Sequence, residues 1–459
     1  MPSAASDAVQ AARLERSVTG LLRSAPEMSS FRTLSGGQRW FALVLANLLV
    51  GGLVLNAVAT LIVLNALATA IYLLVLVFNV RILRAILQRP KVVSVTDAEA
   101  AAVADDALPT YVVLVAAYRE SEVIAATIRG LEALDYPTER LDVILLLEAD
   151  DAATAEAARA AEPLPHIRIV ELPDVPPKTK PKALNYGLQL SSAELLTIFD
   201  AEDRPDPLQL RRAAVAFNRA ETYVACLQAK LHYHNVEQNR LTRWFSAEYL
   251  RWFSLVLPAL VRLDAPIPLG GTSMHVRREA VERVGGWDPF NVTEDADLGI
   301  RLHRFGYRTR VLDSVTYEEA NSDFINWVKQ RSRWYKGYLQ TWLVHMRHPR
   351  VLRRQLGLKG FLDFQVIVGA TPLLALLNPL FWLLTALWFL SGAHLVQVLF
   401  PSWIFYPALI SVVFGNFVAL YQTVISVRLA GRPSLLGSTL LFPIYWIFMS
   451  IASAKAFLH

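Results

Sequence analysis

A cluster of acidic residues directly follows one apolar stretch of this sequence. Residues 195–207 are LLTIFDAEDRPDP, so Asp200, Glu202 and Asp203 come just after five apolar or β-branched residues. This order predicts a buried strand that ends in carboxylates. Carboxylates one residue apart at a strand end can share Mg²⁺ or Mn²⁺, because these cations prefer oxygen ligands, and the cation can hold a diphosphate. A solvated acidic turn is the alternative, because Asp and Pro are common turn residues.

Other polar motifs follow predicted strands or begin predicted helices. Tyr118 and Glu120 follow the first strand, where a nucleotide base and ribose are expected, and Glu148 ends the second strand. Lys180 and Lys182 lie in TKPKALN at a helix start, where backbone N–H groups and a lysine can bind phosphate. Each motif taken alone is also compatible with polar residues of no special function, because polar residues are common at strand ends.

The triplet Thr293-Glu294-Asp295 stands at the start of another predicted helix. A carboxylate there can act as the general base that takes the proton of an attacking hydroxyl. The alternative is structural, with Thr293 as the N-cap and two acids in the first helical turn.

The segment Gln330-Arg331-Ser332-Arg333-Trp334 is predicted to be helical. Gln330, Arg333 and Trp334 are then spaced i, i+3 and i+4, so they share one face. An amide, a guanidinium and an indole on one face suit a diphosphate and a sugar ring. A membrane-proximal amphipathic helix is the alternative.

Strand and helix patterns alternate in the middle of the chain. The predicted strands are 111–117, 142–148, 166–172, 195–200 and 223–229, and the predicted helices are 121–134, 152–161 and 181–190. Alternation of this kind predicts βαβ units and a parallel sheet, that is, an α/β fold. The continuous apolar strands fit burial on both faces.

Composition indicates a membrane protein. The 459 residues are 54% hydrophobic with a net charge of +5, and the basic residues flank long apolar runs, which favours a lipid bilayer over nucleic acid as the partner. The single cysteine, Cys226, excludes an intrachain disulfide.

Two long uncharged regions predict the membrane spans. Residues 40–80 hold no charge and, at ~1.5 Å per residue, are about twice as long as the ~30 Å hydrocarbon core, so we expect a hairpin that turns near 56–60. Residues 364–427 hold no Asp, Glu, Lys or Arg, and predict spans at 374–391 and 403–427, with a last span at 434–455. Basic flanks place the N-terminus in the cytosol, giving five crossings and an outside C-terminus. The flanking basic residues are Arg81, Arg84, Arg89, Lys91, Arg347, Arg350, Arg353, Arg354, Lys359, Arg428 and Arg432.

The predicted organisation therefore has five parts. They are a flexible or interfacial cytosolic tail (1–38), a transmembrane hairpin (39–81), a cytosolic domain (92–350), an interfacial helix region (351–372) and a transmembrane region (373–459). An aromatic segment within the cytosolic domain lies either on the membrane surface or in an ordinary amphipathic helix. It contains Trp244, Phe245, Tyr249, Trp252 and Phe253.

Taken in order, these motifs resemble those of the membrane-embedded family-2 glycosyltransferases, the group of cellulose, hyaluronan and chitin synthases. The resemblance covers about residues 108–345, and the Q-x-x-R-W motif before a membrane segment is its most specific part. The motif residues are Glu120, Glu148, Lys182, Asp200-Ala201-Glu202, Gly270-Gly271-Thr272, Thr293-Glu294-Asp295 and Gln330-x-x-Arg333-Trp334.

Three positions depart from the family pattern. Asp200-Ala201-Glu202 replaces Asp-x-Asp, which leaves Glu202 or Asp203 as the second metal ligand. Glu148 stands where the family usually has Asp, and the loop is GGTS where cellulose synthases usually have a Cys-Gly-Thr version.

The resemblance implies a GT-A type domain, with a mostly parallel sheet, that binds a nucleotide-diphosphate sugar. Asp200 and Glu202 would bind Mg²⁺ or Mn²⁺. The catalytic residues would be Asp295 as the base, Glu294 beside it, and Arg333, which would stabilise the departing negative charge. The remaining implied contacts are to the nucleotide sugar by Tyr118, Glu120, Glu148, Lys182, Asp200, Gln330 and Arg333, and to the acceptor by Trp334, Gly271 and Thr272.

The expected activity is inverting transfer from a UDP-hexose or UDP-N-acetylhexosamine to a growing polysaccharide that the spans extrude. The expected location is the plasma (inner) membrane, with membrane or periplasmic partner subunits left open. Transfer of one sugar to a lipid or short glycan is the first alternative. A transporter or scaffold with a degenerate transferase domain is the second, although the spans lack the ionisable residues of ion-coupled transporters.

Overall fold

The computed structural model describes residues 4–88, 91–392 and 394–458, so Arg89 of the predicted basic flank lies outside the described residues. The chain divides into two compact units. The first contains the described residues within Met1–Phe31, Lys91–Val236 and Leu260–Ala320, and the second those within Arg32–Pro90, Glu237–Ala259 and Asn321–His459.

Nine strands form one mixed sheet in the described part of the first unit. They are β1 (Val92–Val93), β2 (Tyr111–Ala117), β3 (Leu141–Glu148), β4 (Ile167–Leu172), β5 (Leu195–Phe199), β6 (Arg204–Pro205), β7 (Val224–Tyr233), β8 (Met274–Arg277) and β9 (Arg308–Glu318). Their order is β1-β9-β7-β8-β5-β2-β3-β4, and β6 pairs with β9.

Helices in the first unit precede and cover the sheet. They are α1 (Ala4–Ser24), α3 (Asp97–Ala101), α4 (Ile124–Glu132), α5 (Ala152–Ala160), α6 (Lys180–Leu188), α7 (Gln209–Arg219), α10 (Arg278–Arg283) and α11 (Glu294–Arg304). The other helices, numbered in the same chain order, are α2 (Gly36–Leu87), α8 (Arg240–Arg251), α9 (Leu257–Leu263), α12 (Phe324–His345), α13 (Pro349–Phe364), α14 (Thr371–Ser391), α15 (His394–Leu399), α16 (Ser402–Leu429), α17 (Leu436–Thr439) and α18 (Phe442–Leu458).

Strand direction determines which residues can meet. Strands β2, β3, β4 and β5 are mutually parallel, as predicted, but β8 runs antiparallel between β5 and β7. The prediction of a mostly parallel sheet is therefore confirmed, and β8 is a short antiparallel strand that the sequence pattern did not predict. Because β8 is reversed, it begins towards the sheet edge where β5 ends, and its first residue, Met274, pairs with Gln228 in the middle of β7.

The core lies on both faces of the sheet, which accounts for the unbroken apolar strands. Val113 and Val115 of β2 are fully buried in one cluster with Ile124 and Ile128 of α4. On the opposite face, α6 approaches closely at Gly187, where an added Cβ would lie 2.9 Å from Leu114 Cδ2. Burial of these side chains fixes both helices on the sheet, and α6 carries the lysines at its start.

The N-terminal segment corrects the expectation of a flexible or interfacial tail. Helix α1 packs on α6 in the first unit, where Asn185 Nδ2 donates to Ser17 O at 3.1 Å and Gln189 Nε2 donates to Arg13 O at 3.1 Å. Leu21 is 2% exposed. Part of the predicted tail is therefore a structured layer of this unit.

The aromatic segment belongs to α8 and the π-helical turn that follows it, in the second unit. Trp244, Phe245 and Phe253 are buried, and Trp244 Nε1 donates to Ser438 O at 2.8 Å. These contacts favour the packed amphipathic helix over a surface helix for those three side chains.

Long apolar helices occupy the second unit. Among the described residues, three helical segments are long and apolar enough to cross a membrane: Gly36–Leu87, Pro349–Ser391 and Ser402–Leu429. A bent pair, Pro433–Thr439 with Phe442–Leu458, adds a fourth if it counts as one span. Five crossings would require Gly36–Leu87 to span twice, so that number stays a prediction.

The helix Gly36–Leu87 breaks at Asn56, whose φ of −157° and ψ of 91° are not helical. A Cβ added to Gly52 would lie 2.7 Å from Thr60 Oγ1. Eight residues of straight helix would separate these positions by about 12 Å along the axis. The chain therefore reverses direction at Asn56, inside the predicted turn.

Gly299 tests how tightly α11 is seated in the first unit. A Cβ at Gly299 would lie 2.2 Å from the backbone oxygen of Ile267, so Gly299→Ala must displace either α11 or the chain segment that contains Ile267. We expect Gly299→Ala to destabilise the protein by about 1–3 kcal/mol, measured as a lower unfolding midpoint in detergent. Gly130→Ala in α4 is the matched control, because its nearest neighbour is Asp203 O at 3.9 Å. An equal loss in both variants would contradict this account.

Candidate active site

Most of the predicted site residues of the first unit lie at one edge of the sheet. Strands β2, β3, β5 and β9 all end at this edge, and β8 begins there. Glu120 follows β2, Glu148 ends β3, Asp200 follows β5 and Glu318 ends β9. Ligands of open α/β sheets bind at this edge, outside the carboxyl ends of the strands.

The turn after β5 separates the roles of its three acids. Asp203 is 5% exposed, and its Oδ2 accepts hydrogen bonds from Asp200 N at 2.7 Å and from the Thr272 hydroxyl. Glu202 is exposed and the Asp200 side chain is 37% exposed. Asp203 therefore holds the turn, whereas Asp200 and Glu202 remain accessible to a ligand.

The side chain of Gln228 in β7 holds the loop Gly270–Ser273 by hydrogen bonds to its backbone. Gly270 N donates to Gln228 Oε1 at 3.0 Å, and Gln228 Nε2 donates to Thr272 O at 2.9 Å. Thr272 is 2% exposed, and its hydroxyl donates to Asp203. The expectation that Thr272 contacts an acceptor is not supported by this burial, and the side chain instead joins the loop to the acidic turn.

Gly271 brings this loop against α11. A Cβ there would lie 3.2 Å from Asp295 Oδ2 and 3.9 Å from Lys180 Nζ. The absence of a side chain thus allows Asp295, Lys180 and the loop backbone to meet.

The two lysines of TKPKALN have different environments. Lys182 is fully buried, and its Nζ lies 2.8 Å from Glu148 Oε1 and 3.0 Å from Val175 O. Lys180 is partly exposed, contacts the Asp200 carboxylate and donates to Gly271 O at 2.8 Å. Lys182 is therefore the buried partner of Glu148 and Lys180 is the more accessible lysine of the motif, so the contact of Lys182 with a diphosphate stays a prediction.

This ion pair also bears on Glu148, which was expected to hold a nucleoside. Its side chain is 7% exposed. Burial raises the pKa of Glu148, although the hydrogen bond from Lys182 opposes that rise. Tyr118 and Glu120 are more accessible, and the Tyr118 hydroxyl donates to Asp150 Oδ2 at 3.2 Å.

Asp295 and Glu294 occupy the first turn of α11 and are half-buried. Asp295 Oδ1 accepts from Ala296 N at 2.7 Å. Thr293 makes no capping hydrogen bond, and its buried Oγ1 has no partner among the described residues. The side chain of Thr293 therefore does not cap α11, in contrast to the structural alternative for this triplet.

Buried interactions behind α11 fix its orientation. Asp297 and Arg301 form a fully buried ion pair at 2.7 Å, and Arg301 NH1 donates to the backbone oxygens of Val284 and Gly286, each at 2.7 Å. Asn185 of α6 binds Trp287 of the same turn through both its amide groups, at 2.7 and 2.9 Å. Helices α6 and α11 are thus joined, which fixes Lys180 relative to Asp295.

Negative charge is in excess at this edge. Burial and repulsion between carboxylates raise the pKa of Glu294 to about 8, and they also raise the pKa of buried Asp203 and of Glu318. Burial disfavours the Lys180 ammonium, but Asp200 and Glu294 outweigh it and raise the Lys180 pKa. One ammonium among these acids leaves a site that would favour a further cation.

The acidic turn fits a divalent cation only in part. Among the described residues, no group of three His, Cys, Asp or Glu side chains is arranged to hold a metal. Mg²⁺ is commonly held by one or two carboxylates together with substrate phosphates, so accessible Asp200 and Glu202 satisfy the protein's share. The donor set is therefore compatible with a metal that arrives with a diphosphate.

Gln330, Arg333 and Trp334 lie on α12, in the second unit. Arg333 is exposed and Trp334 is half-buried, packed 5.9 Å from Phe245 between ring centroids. Arg331 is buried instead, and it pairs with Glu248 at 2.6 Å. Helix α12 thus presents Arg333 to solvent, and the shared face of Gln330, Arg333 and Trp334 stays a prediction.

Sequence reasoning gave no role to Glu318 and did not foresee the different burial of the two lysines. Glu318 ends the 11-residue strand β9, which was not predicted, although two adjacent acids after an alternating segment were a visible signal. Lys180 and Lys182 stand two residues apart at the start of α6, so only their burial distinguishes them.

Comparison with known proteins agrees with this architecture. Residues 109–337 match the family described as "Glycosyltransferase like family 2", which is about half of the chain. The structure of mannosyltransferase PcManGT from Pyrobaculum calidifontis, determined with GDP-Man and Mn²⁺, aligns with a TM-score of 0.54 at 19% identity, covering 84% of this chain and 99% of that one. This similarity shows the GT-A-like fold, and the chain belongs to glycosyltransferase family 2.

Two curated relatives illustrate the range of the family. Beta-monoglucosyldiacylglycerol synthase of Synechocystis sp. is 29% identical over 357 residues, which cover 71% of this chain and 73% of the relative. Cellulose synthase 1 catalytic subunit of Komagataeibacter xylinus is 26% identical over 245 residues, which cover 52% and 32% respectively. Across four bacterial relatives, including the Synechocystis protein, the matched segment spans from 54% to 73% of the relative's own length.

The contrast between the two lysines can be tested by stability. Lys182→Met leaves Glu148 buried without its partner, so we expect a loss of about 3–5 kcal/mol. Lys180→Met is the matched control, because accessible Asp200 can be hydrated, and it should cost about 1 kcal/mol or less. Chemical unfolding of both variants in detergent measures the difference, and equal losses would contradict the assigned burial.

The raised pKa of Glu294 predicts a pH dependence. A carboxyl whose folded pKa lies above its unfolded value favours the folded state when protonated, and this contribution is lost as pH rises from about 4.5 to about 8. Glu294→Gln should therefore be more stable than the wild type at pH 8, by about 1 kcal/mol or more, but not at pH 4.5. Unfolding midpoints measured in chelator across this range provide the test, and a pH-independent difference would contradict the prediction.

Proposed function

We propose that this protein is an inverting hexosyltransferase that uses a nucleotide-diphosphate sugar, a UDP-hexose or UDP-N-acetylhexosamine. The observation that supports this proposal is the acidic sheet edge, where Asp200, Lys180 and Asp295 lie close together around Gly271. Carboxylates, an ammonium and a half-buried candidate base are the groups that glycosyl transfer to a hydroxyl requires.

The donor is assigned to the first unit. Tyr118 and Glu120 hold the nucleoside, with Glu148 supporting them through its pair with Lys182, and Lys180 contacts the diphosphate. Asp200 and Glu202 hold Mg²⁺ or Mn²⁺, which supplies charge neutralisation for the departing diphosphate when bound.

The transfer step follows from the position of Asp295. Asp295 takes the proton of an acceptor hydroxyl as its oxygen attacks the anomeric carbon. The glycosidic bond forms while the bond to the diphosphate breaks, and the nucleoside diphosphate leaves with the electron pair. Attack from the side opposite the leaving group inverts the anomeric configuration. Burial, together with repulsion from Asp200, raises the pKa of Asp295 and thereby makes it a better proton acceptor.

In the first unit, we assign Gly271, which lies beside Asp295, to contact with the acceptor. In the second unit, the motif on α12 implies that Trp334 stacks on a sugar ring and that Gln330 and Arg333 bind the diphosphate. Thr272 is excluded from this set because its hydroxyl is buried against Asp203.

The product is proposed to be a growing polysaccharide that the membrane helices extrude. The Q-x-x-R-W helix immediately before the apolar segments supports this choice. In this proposal, residues 92–350 face the cytosol and the apolar helices anchor the protein in the inner membrane, because the basic residues flank the spans.

Transfer of a single sugar to a lipid is the second candidate. The match to the Synechocystis lipid glucosyltransferase extends over 71% of this chain, compared with 52% for the cellulose synthase subunit. That longer match includes membrane segments as well as the domain, which is the observation that favours a lipid acceptor.

The deciding experiment incubates membranes containing the protein with radiolabelled nucleotide sugars and Mg²⁺ or Mn²⁺. A high-molecular-weight, glycosidase-sensitive product supports the polysaccharide synthase, whereas label extracted into organic solvent as a glycolipid supports the second candidate. Asp295→Asn membranes serve as the blank. No incorporation from any nucleotide hexose or N-acetylhexosamine would refute both.

Asp295→Asn separates the proposed base from a structural acid. The amide keeps the shape of the side chain but cannot take a proton, and general base catalysis contributes about 10²–10⁴-fold. We expect normal folding and donor binding with turnover below about 1% of wild type. Purified Asp295→Asn that keeps most of its rate would place the base elsewhere.

Metal dependence distinguishes the acids of the turn. Activity should vanish in EDTA and return with Mg²⁺ or Mn²⁺, and both Asp200→Asn and Glu202→Gln should weaken Mn²⁺ binding measured by EPR in the presence of UDP. Asp203→Asn should instead lower stability, because Asp203 holds the turn. Glu171→Gln, in an exposed ion pair with Arg159, is the control. Undiminished Mn²⁺ binding in both Asp200 and Glu202 variants would contradict the assignment.

A further inference from the structure

The second unit contains an ionic cluster of its own, and the proposed mechanism does not use it. Arg331 of α12 makes two hydrogen bonds to the Glu248 carboxylate, at 2.9 and 2.6 Å. The Tyr445 hydroxyl donates to the same carboxylate at 2.7 Å and accepts from Arg331 NH2 at 3.2 Å. Three helices, α8, α12 and α18, therefore meet at these three side chains.

Aromatic rings surround the same guanidinium. The Arg331 Cζ atom lies 4.6 Å from the ring centroid of Trp334, 5.1 Å from that of Phe245 and 5.3 Å from that of Trp327. Arg331 is 8% exposed, and Trp327 is fully buried. A bidentate guanidinium on an aromatic face is held in one orientation, because the planar fork must satisfy the carboxylate and the rings together.

Arg331 thereby covers part of the Trp334 indole from the protein side. Trp334 remains half-buried, and Tyr249 and Phe245 flank it at 6.4 and 5.9 Å between ring centroids. An exposed indole would otherwise be free to rotate about its two side-chain torsions. The contact at 4.6 Å restrains that rotation and leaves the rest of the ring in one fixed position.

We propose that Arg331, held by Glu248 and Tyr445, is a positioning residue that fixes Trp334 as the platform for the acceptor sugar. This inference rests on the proposed function and adds to it. Arg331 itself touches neither donor nor acceptor. It acts through Trp334, and the hydroxyl of Tyr445 connects this arrangement to the last apolar helix, α18.

The test compares sugar transfer to acceptor with transfer to water. In the second reaction a water oxygen attacks the anomeric carbon, the diphosphate leaves, and free sugar is released, so no acceptor platform is needed. We measure both rates for wild type, Arg331→Lys and Tyr445→Phe, using the nucleotide sugar that the wild type consumes. Tyr445→Phe removes one hydroxyl and keeps the ring, so it keeps the test usable if Arg331→Lys does not fold.

Loss of positioning predicts that transfer to acceptor falls about tenfold or more in Arg331→Lys and severalfold in Tyr445→Phe, while hydrolysis stays within about twofold. Lys329→Gln is the matched control, because Lys329 is an exposed residue two positions away on α12. A purely structural role lowers both rates by the same factor, and an unchanged ratio of the two would overturn the inference. A wild type that consumes no nucleotide sugar would instead refute the proposed function on which it rests.

Discussion

Repulsion among carboxylates at one sheet edge is the constraint around which the first unit is arranged. Parallel strands bring Glu120, Asp200 and Glu318 to the same edge, and Lys180 is the ammonium in direct contact with Asp200. Burial would make such a cluster costly unless cations neutralise it. The arrangement is therefore suited to a site that gains a cation when its substrate binds, and it is poorly suited to a purely structural role.

The surrounding structure holds these charges together by separate neutral or paired contacts. Gln228 binds the backbone of the glycine loop, Asn185 binds the backbone of the Trp287 turn, and Arg301 is paired with Asp297 beneath α11. None of these side chains adds net charge to the acidic edge. The site can thus be rigid without cancelling the negative potential that a metal and a leaving diphosphate require.

The sequence was sufficient for the α/β class, the first strands and the acidic motifs, because these depend on periodicity and on the order of strand ends. It was insufficient where one or two positions decide burial. Lys180 and Lys182 share a motif, as do Glu202 and Asp203, yet one of each pair is buried and paired while the other is accessible. Such differences depend on how the end of a helix or strand is rotated relative to the elements packed against it. The local sequence pattern does not determine that rotation.

Long-range pairing explains two features that the sequence did not predict. Strand β8 has four residues and obtains its place from β5 and β7. The N-terminal helix is held by hydrogen bonds that the side chains of Asn185 in α6 and of Gln189, just after α6, donate to its backbone. Neither set of contacts has a nearby partner in sequence.

The same distinction recurs on α12, where Arg331 and Arg333 also stand two residues apart. Two positions along a helix correspond to about 200° of rotation, so one of the pair must point inward when the other points outward. Arg331 points to Glu248 and the aromatic rings, and Arg333 to solvent. A buried cation beside each accessible one is therefore a shared feature of the Lys180–Lys182 and Arg331–Arg333 motifs. In both, a carboxylate holds the inner cation: Glu148 holds Lys182 and Glu248 holds Arg331.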